Sequence, residues 1–325
     1  MLSKRVLSVA ALGAWLIAGS AVAGENGLTK EESLAFEAGK ENATGSPAPR
    51  SSGLRQAIQL RAGSTVLYES EPNNQPAEAN LAPAAVHAVV AAVSPIGDVD
   101  YFAVSLPAGV RGFLSIDGTD GTLANGDSIL EVRAADGLTV VESDDDNGPV
   151  NLSSGIAGIR LQNGGLSYIR VAALGSSLDP YLLFFSFEPD SPAAEVEPND
   201  SLPNANALDG LISGTLGPGD SDWFAFPALV GDLILLAVDP NPDRLGSDLD
   251  PALAIYDPAG NLLRNQDVNG RGQPEFLNLI LAPVDGVYTA RLGNTVSATG
   301  SYLLSIEAVR LPLPVELLDF QALPG

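Results

Sequence analysis

Five landmarks occur twice in this sequence, in the same order and at a spacing of about 120 to 126 residues, so whatever the chain folds into it folds twice. Glu69-Ser-Glu71-Pro72-Asn73-Asn74 returns as Glu195-Val-Glu197-Pro198-Asn199-Asp200. Gly97-Asp98-Val-Asp100-Tyr101-Phe102 returns as Gly219-Asp220-Ser-Asp222-Trp223-Phe224, and Asp127 to Gly137 returns as Asp250 to Gly260. Leu166-Ser-Tyr168 then matches Gly286-Val-Tyr288, and Asp179-Pro-Tyr181 matches Gly300-Ser-Tyr302. The spacing changes only between landmarks, where loops absorb insertions.

Between the landmarks run short segments rich in Val, Ile, Leu, Phe and Tyr, punctuated by 34 Gly and 24 Pro, with no helical periodicity after residue 50. Six strands are expected in the first copy: 101–106, 112–116, 128–133, 156–161, 168–172 and 181–187. Six more are expected in the second: 223–226, 232–238, 252–256, 275–281, 287–292 and 302–308. Closely spaced strands without helical crossovers predict an all-β chain of two tandem antiparallel β-sandwich domains, at 67–189 and 190–310.

The flanks differ in character. Lys4 and Arg5, an apolar stretch from Val6 to Ile17 and Ala21-Val-Ala23 predict a signal peptide over 1–23, hence an exported protein at the cell surface, in the periplasm or outside the cell. Residues 24–66 read as a flexible leader and linker, and 311–325 as a tail that is either an edge strand or a recognition segment. No later apolar run is long enough for a membrane-spanning helix; the longest, Leu233 to Val238 and Tyr181 to Phe187, have strand length.

The formal charge is -24, two units more negative once Lys4 and Arg5 are removed. Such a chain repels nucleic acid and anionic membrane surfaces and attracts cations. General solubilising acidity explains the total equally well, so position has to decide. Glu195, Glu197, Asn199 and Asp200 alternate along an extended segment in which Pro198 disfavours helix, and Asp220 and Asp222 share one side of a strand start. Carboxylate and amide oxygens gathered in this way suit calcium, which takes six to eight oxygen ligands. The first copy offers Glu69, Glu71, Asn73, Asn74, Asp98 and Asp100; Asn74 stands where the second copy has Asp200, so weaker binding is expected there. Turn formation by Asn and Asp is the competing explanation for both sets. A second acidic group, Asp127 with Asp144 to Asn147 and its counterpart Asp248, Asp250, Asp267 and Asn269, is explained as well by loop solvation as by metal. Tyr101 and Trp223 sit on the face opposite Phe102 and Phe224, as ligand anchors or as cover for a sheet.

The Glu-Pro-Asn start, the Gly-Asp-Xaa-Asp-aromatic-Phe strand start and the closing Gly-Xaa-Tyr strand resemble the bacterial pre-peptidase C-terminal domain family, over residues 69 to about 309. The resemblance implies a jelly-roll-like sandwich, a non-catalytic appendage of secreted proteases, with relatives among the collagen-binding domains of clostridial collagenases. In those relatives the acidic leading segment and the Asp pair bind calcium.

Catalytic groups are scarce. There is no cysteine, the one histidine is His87 within an apolar run, and lysine occurs only at 4, 30 and 40. Gly-Xaa-Ser-Xaa-Gly and zinc hydrolase motifs are absent. The expectation is a secreted calcium-binding module, not an enzyme, that binds an extracellular protein or polysaccharide surface, with two weak sites on a short joint acting through avidity. The alternative is an accessory or spacer protein associated with a secreted peptidase.

Overall fold

A computed structural model describes residues 65–83, 86–118, 126–150, 152–175 and 177–310. The expected signal peptide, nearly all of the leader and the tail lie outside the described residues. The first half forms β1 (Thr65–Tyr68), β2 (Asn80–Leu81), β3 (Val86–Val93), β4 (Val99–Leu106), β5 (Val110–Gly118), β6 (Ser128–Arg133), β7 (Val140–Asp144), β8 (Gly155–Leu161), β9 (Gly165–Ala173) and β10 (Leu178–Pro189). The second forms β11 (Ala193–Ala194), β12 (Gly210–Leu216), β13 (Ser221–Ala228), β14 (Asp232–Asp239), β15 (Pro251–Tyr256), β16 (Leu262–Gln266), β17 (Glu275–Leu281), β18 (Gly286–Asn294) and β19 (Gly300–Arg310). Each expected strand falls inside an observed one. No helix among the described residues is long and apolar enough to cross a membrane.

Strand order repeats with the sequence. Sheet β1-β3-β10-β5-β8 corresponds to β11-β12-β19-β14-β17, and sheet β2-β4-β9-β6-β7 corresponds to β13-β18-β15-β16. The missing fifth position is marked by a single parallel bridge from Asn206 to Phe224, the counterpart of β2 beside β4. The expected antiparallel pairing holds in the interiors, but β1 with β3, β2 with β4 and β11 with β12 are parallel. In each half the leading segment therefore borders both sheets.

Period-two alternation builds two cores. Phe102, Val104, Ile116, Leu130, Ile169, Tyr181, Leu183 and Phe185 fill the first; Phe224, Phe226, Ile234, Leu236, Leu253, Ile255, Tyr288 and Leu304 fill the second. The alternate side chains on β10 and β14 are buried too. Ala88, Val90, Leu182 and Phe184 pack against Leu233, Leu235 and Val309, while Phe113 and Ala157 pack against Leu211, Ala237, Phe276 and Leu303. The two sandwiches thus stack sheet on sheet. A strand covered on both faces needs apolar residues at every position, which is why β14 reads as a continuous Leu-Ile-Leu-Leu-Ala-Val run.

Polar bonds fix this seam. Ser305 Oγ donates to Glu188 at 2.6 Å, Asn278 Nδ2 donates to Ser115 at 2.8 Å, and Gln266 Nε2 donates to the Pro149 carbonyl at 2.5 Å. Arg244 reaches from the second half to Glu142 at 3.0 Å and the Ala157 carbonyl at 2.7 Å. His87 lies 3.1 Å from Glu307 across the same seam. The joint itself is held, because Arg111 and Arg160 grip Asp190 at 2.8 and 2.6 Å.

Candidate metal centres

The leading segment of each half is tied to the start of a central strand by backbone bonds. Tyr101 N donates to Asn73 O and Trp223 N donates to Asn199 O, both at 3.0 Å. An amide clamp tightens the same stretch: Asn80 accepts from Ser70 N at 2.6 Å and donates to Ser70 O at 2.8 Å, and Asn206 repeats this with Val196 at 2.6 and 2.9 Å. The Glu71–Pro72 and Glu197–Pro198 peptide bonds are cis. The outcome in both halves is that two glutamates of the leading segment meet the second aspartate of the Asp-Xaa-Asp pair.

In the first half Glu69, Glu71 and Asp100 bring carboxylate oxygens within 4.8 Å of one another, and Glu195, Glu197 and Asp222 do so in the second. A further group, Glu197, Asp200 and Asp220, adjoins the latter and shares Glu197. Asp100, Asp222, Asn73 and Asn199 are fully buried, whereas Glu71 and Glu197 are exposed, so each cluster runs from the interior to solvent. Tyr181 donates to Asp100 at 2.7 Å; the Tyr302 hydroxyl lies 2.6 Å from Asp222 and 2.7 Å from Glu195. One hydroxyl has one proton, so Tyr302 satisfies only one of its two carboxylates at a time.

Several oxygens at the first cluster have no partner: Asp100 Oδ1, Glu69 Oε2 and the Asn73 amide. At the second, the Asn199 amide stands 3.0 Å from Glu197 Oε2 and 3.2 Å from Asp222 Oδ1. With its nitrogen turned toward them it donates to both; with its oxygen turned toward them it joins a ring of oxygen ligands. No Lys, Arg or His among the described residues pairs with these carboxylates. Burial, then the neighbouring acids, push Asp222, Glu69 and Asp100 well above the usual carboxylate range. Acidic clusters of this make-up can hold a metal ion.

The remaining expected residues divide. Asp220 accepts from Gly217 N and Ser221 N at 3.1 and 2.9 Å, and Asp98 from Ser94 N and Val99 N at 3.1 and 3.0 Å, so both combine turn formation with a place beside the glutamates. Asn74 is exposed. Tyr101 and Trp223 are buried at 6% and 2% exposure and do not present open faces as ligand anchors. Trp223 stacks on Tyr256 at 5.2 Å beneath Arg291, and Tyr101 meets Tyr168 edge-on beneath Arg133. In the second acidic group, Asp144 accepts from Asn147 N at 2.9 Å within a turn and from Gly155 N, at the start of β8, at 2.8 Å. Tyr181 and Tyr302 were legible as repeat landmarks, but nothing in the sequence pattern marks them as partners of the acids.

No protein-family description and no curated protein matches the chain. Among solved structures, the pre-peptidase C-terminal domain of collagenase from Bacillus anthracis is similar at 17% identity over 37% of this chain and 100% of that one, with a TM-score of 0.25. PliG of Aeromonas hydrophila, a periplasmic inhibitor of g-type lysozyme, is similar at 16% identity over 38% of this chain and 96% of its own, with a TM-score of 0.24. The CUB1-EGF-CUB2 region of human MASP-1/3 is similar at 10% identity over 68% of this chain and 98% of its own, with a TM-score of 0.19.

Proposed function

We propose that this is an exported, non-catalytic calcium-binding protein made of two pre-peptidase C-terminal-like domains, 67–189 and 190–310, that engages an extracellular protein or polysaccharide. The observation that carries the reading is the repeated cluster of three carboxylates around a buried aspartate, without a cationic partner among the described residues. Glu69, Glu71 and Asp100 would hold an ion in the first domain, with the Asn73 amide oxygen. Glu195, Glu197 and Asp222 would do so in the second, with Asn199. Sharing of Glu197 with Asp200 and Asp220 gives the second domain room for a second cation, which Asn74 in place of an acid denies the first.

Structural acidity alone leaves the electrostatics unresolved. Gathering three carboxylates in a partly buried space costs stability unless they take up protons or a cation, and calcium accepts this number and type of oxygen ligands. The non-catalytic part of the reading is supported by the absence of cysteine and by the place of His87, which lies against Glu307 at the seam.

Thermal unfolding of the chelator-stripped protein tests the proposal. Saturating calcium should raise the melting temperature, and equal magnesium should do so far less. At a hundred times Kd, one site adds about 2.7 kcal/mol. An unchanged melting curve would reduce the clusters to turn chemistry.

A further inference from the structure

Asn199 is held by its backbone and free to turn at its side chain. Its N–H donates to Glu197 Oε2 at 2.9 Å and its carbonyl accepts from Trp223 N at 3.0 Å, so the main chain is fixed on both sides. The amide is fully buried, with one end 3.0 Å from Glu197 Oε2 and 3.2 Å from Asp222 Oδ1 and the other end toward hydrogen-bond donors. The two ends of a primary amide have nearly the same shape and opposite hydrogen-bonding character. Half a turn about the Cβ–Cγ bond exchanges them and leaves the rest of the site in place.

The two orientations suit two different contents of the site. With its nitrogen toward the acids, the amide gives one proton to Glu197 and one to Asp222, and its oxygen meets the donors on the other side. With its oxygen toward the acids, Asn199 Oδ1 stands 3.0 and 3.2 Å from two carboxylate oxygens, and no proton lies between them. Oxygens at that spacing repel one another unless a cation lies among them. Ligands about 2.3 to 2.6 Å from one calcium ion come this close to each other. Asn73, the counterpart in the first half, is fully buried as well, and neither atom of its amide has a partner. The pair of amide bonds open to Asn199 is therefore a property of the second site.

We propose that the Asn199 amide is a two-position switch that answers to calcium, bonding to Glu197 and Asp222 through its nitrogen in the calcium-free protein and turning over to ligate the ion through its oxygen. The amide takes the place of the ion when calcium is absent. Calcium then competes with two hydrogen bonds to charged acceptors, which are stronger than neutral ones, and the second site binds less tightly than its count of acids alone would give. This inference rests on the calcium reading of the Glu195, Glu197 and Asp222 cluster.

Nuclear magnetic resonance of the full chain, isotope-labelled in nitrogen and measured with chelator and then with calcium, reads the switch without altering a residue. The two Asn199 side-chain protons should resonate downfield while they are bonded to carboxylates and move upfield together as calcium is added. Asn199→Asp presents oxygen in both positions and no proton. It should lower the calcium-free melting temperature more than Asn73→Asp does, and calorimetric titration should show calcium bound roughly tenfold more tightly than by the parent. Asn199 side-chain protons that keep their positions at saturating calcium, in a parent protein whose melting temperature calcium has raised, would overturn the switch and leave the calcium reading standing. A parent melting curve that calcium does not move would remove both.

Discussion

The Tyr302 hydroxyl meets a carboxylate oxygen of Asp222 at 2.6 Å across 80 residues of sequence. Tyr181 and Asp100 make the same pair at 2.7 Å across 81 residues. In each half this bond crosses from one sheet of the sandwich to the other at the floor of the acidic cluster. The phenol is pushed well above its ordinary pKa by burial and by the adjacent acid, so it stays a donor. It supplies one proton to a group of three carboxylates, and the remaining charge has to be met from solution.

Replacing Asp222 by Asn keeps the shape of the floor and removes a buried carboxyl that must take up a proton or a cation. Calcium affinity in the second half should fall at least tenfold, whereas the calcium-free protein should be as stable as the parent or more so. Asp100→Asn should have the same signs with a smaller calcium effect. Calorimetric titration alongside melting curves reads both quantities.

Proton competition gives the second prediction. Asp222 is pushed up to about 9 by burial and by Glu195 and Asp220, and an ordinary aspartate titrates near 3.8. The native calcium-free state therefore holds a proton that the unfolded state has released, so stability is greatest at acid pH and falls as pH rises from about 4 to about 9. Calcium should flatten that slope, and its affinity should rise with pH by roughly tenfold per unit for each proton displaced. Melting curves at pH 5, 7 and 9 with calcium and with chelator check the signs.

Phe276 is 1% exposed and belongs to the seam, where it packs with Phe113 and Ala157 of the other half. Phe276→Ala should destabilise the protein by about 3–5 kcal/mol. Because the seam serves both halves, urea unfolding followed by Trp223 fluorescence and by circular dichroism should separate into two transitions in the variant, while the parent shows one.

At Gly158 the backbone has φ of +69°, and a Cβ there would lie 2.0 Å from Asp239 Oδ2, the group that holds Arg244 at 2.7 Å. Gly158→Ala should therefore cost at least about 1 kcal/mol from the backbone alone and displace the Asp239–Arg244 pair from the seam. Its melting temperature should fall more than that of Gly109→Ala, which has a similar φ of +70° and open space around it.

Twelve of the strands were legible because their landmarks repeat and their apolar residues cluster. Five of the other seven lacked that signal for identifiable reasons. Strands β2 and β11 are two residues long, β7 and β16 are edge strands ending in polar residues, and β12 is interrupted by glycine. The acidic residues of the sites were legible by position, since alternation along an extended segment put Glu195 and Glu197 where they could meet Asp222. The tyrosine floor was not, because it depends on which distant strand lies across the sandwich. The two longest apolar runs, at Tyr181 to Phe187 and Leu233 to Val238, did carry the signal of the seam: near-continuous hydrophobicity at strand length, broken only at Ser186, marks a strand covered on both faces.

The described chain starts at Thr65 and stops at Arg310, and the strands it starts and stops with meet, since Val66 packs against the cluster that holds Val309. Glu69 of the first acidic cluster follows β1 directly. The seam is therefore completed only when β19, the last of the described strands, is in place.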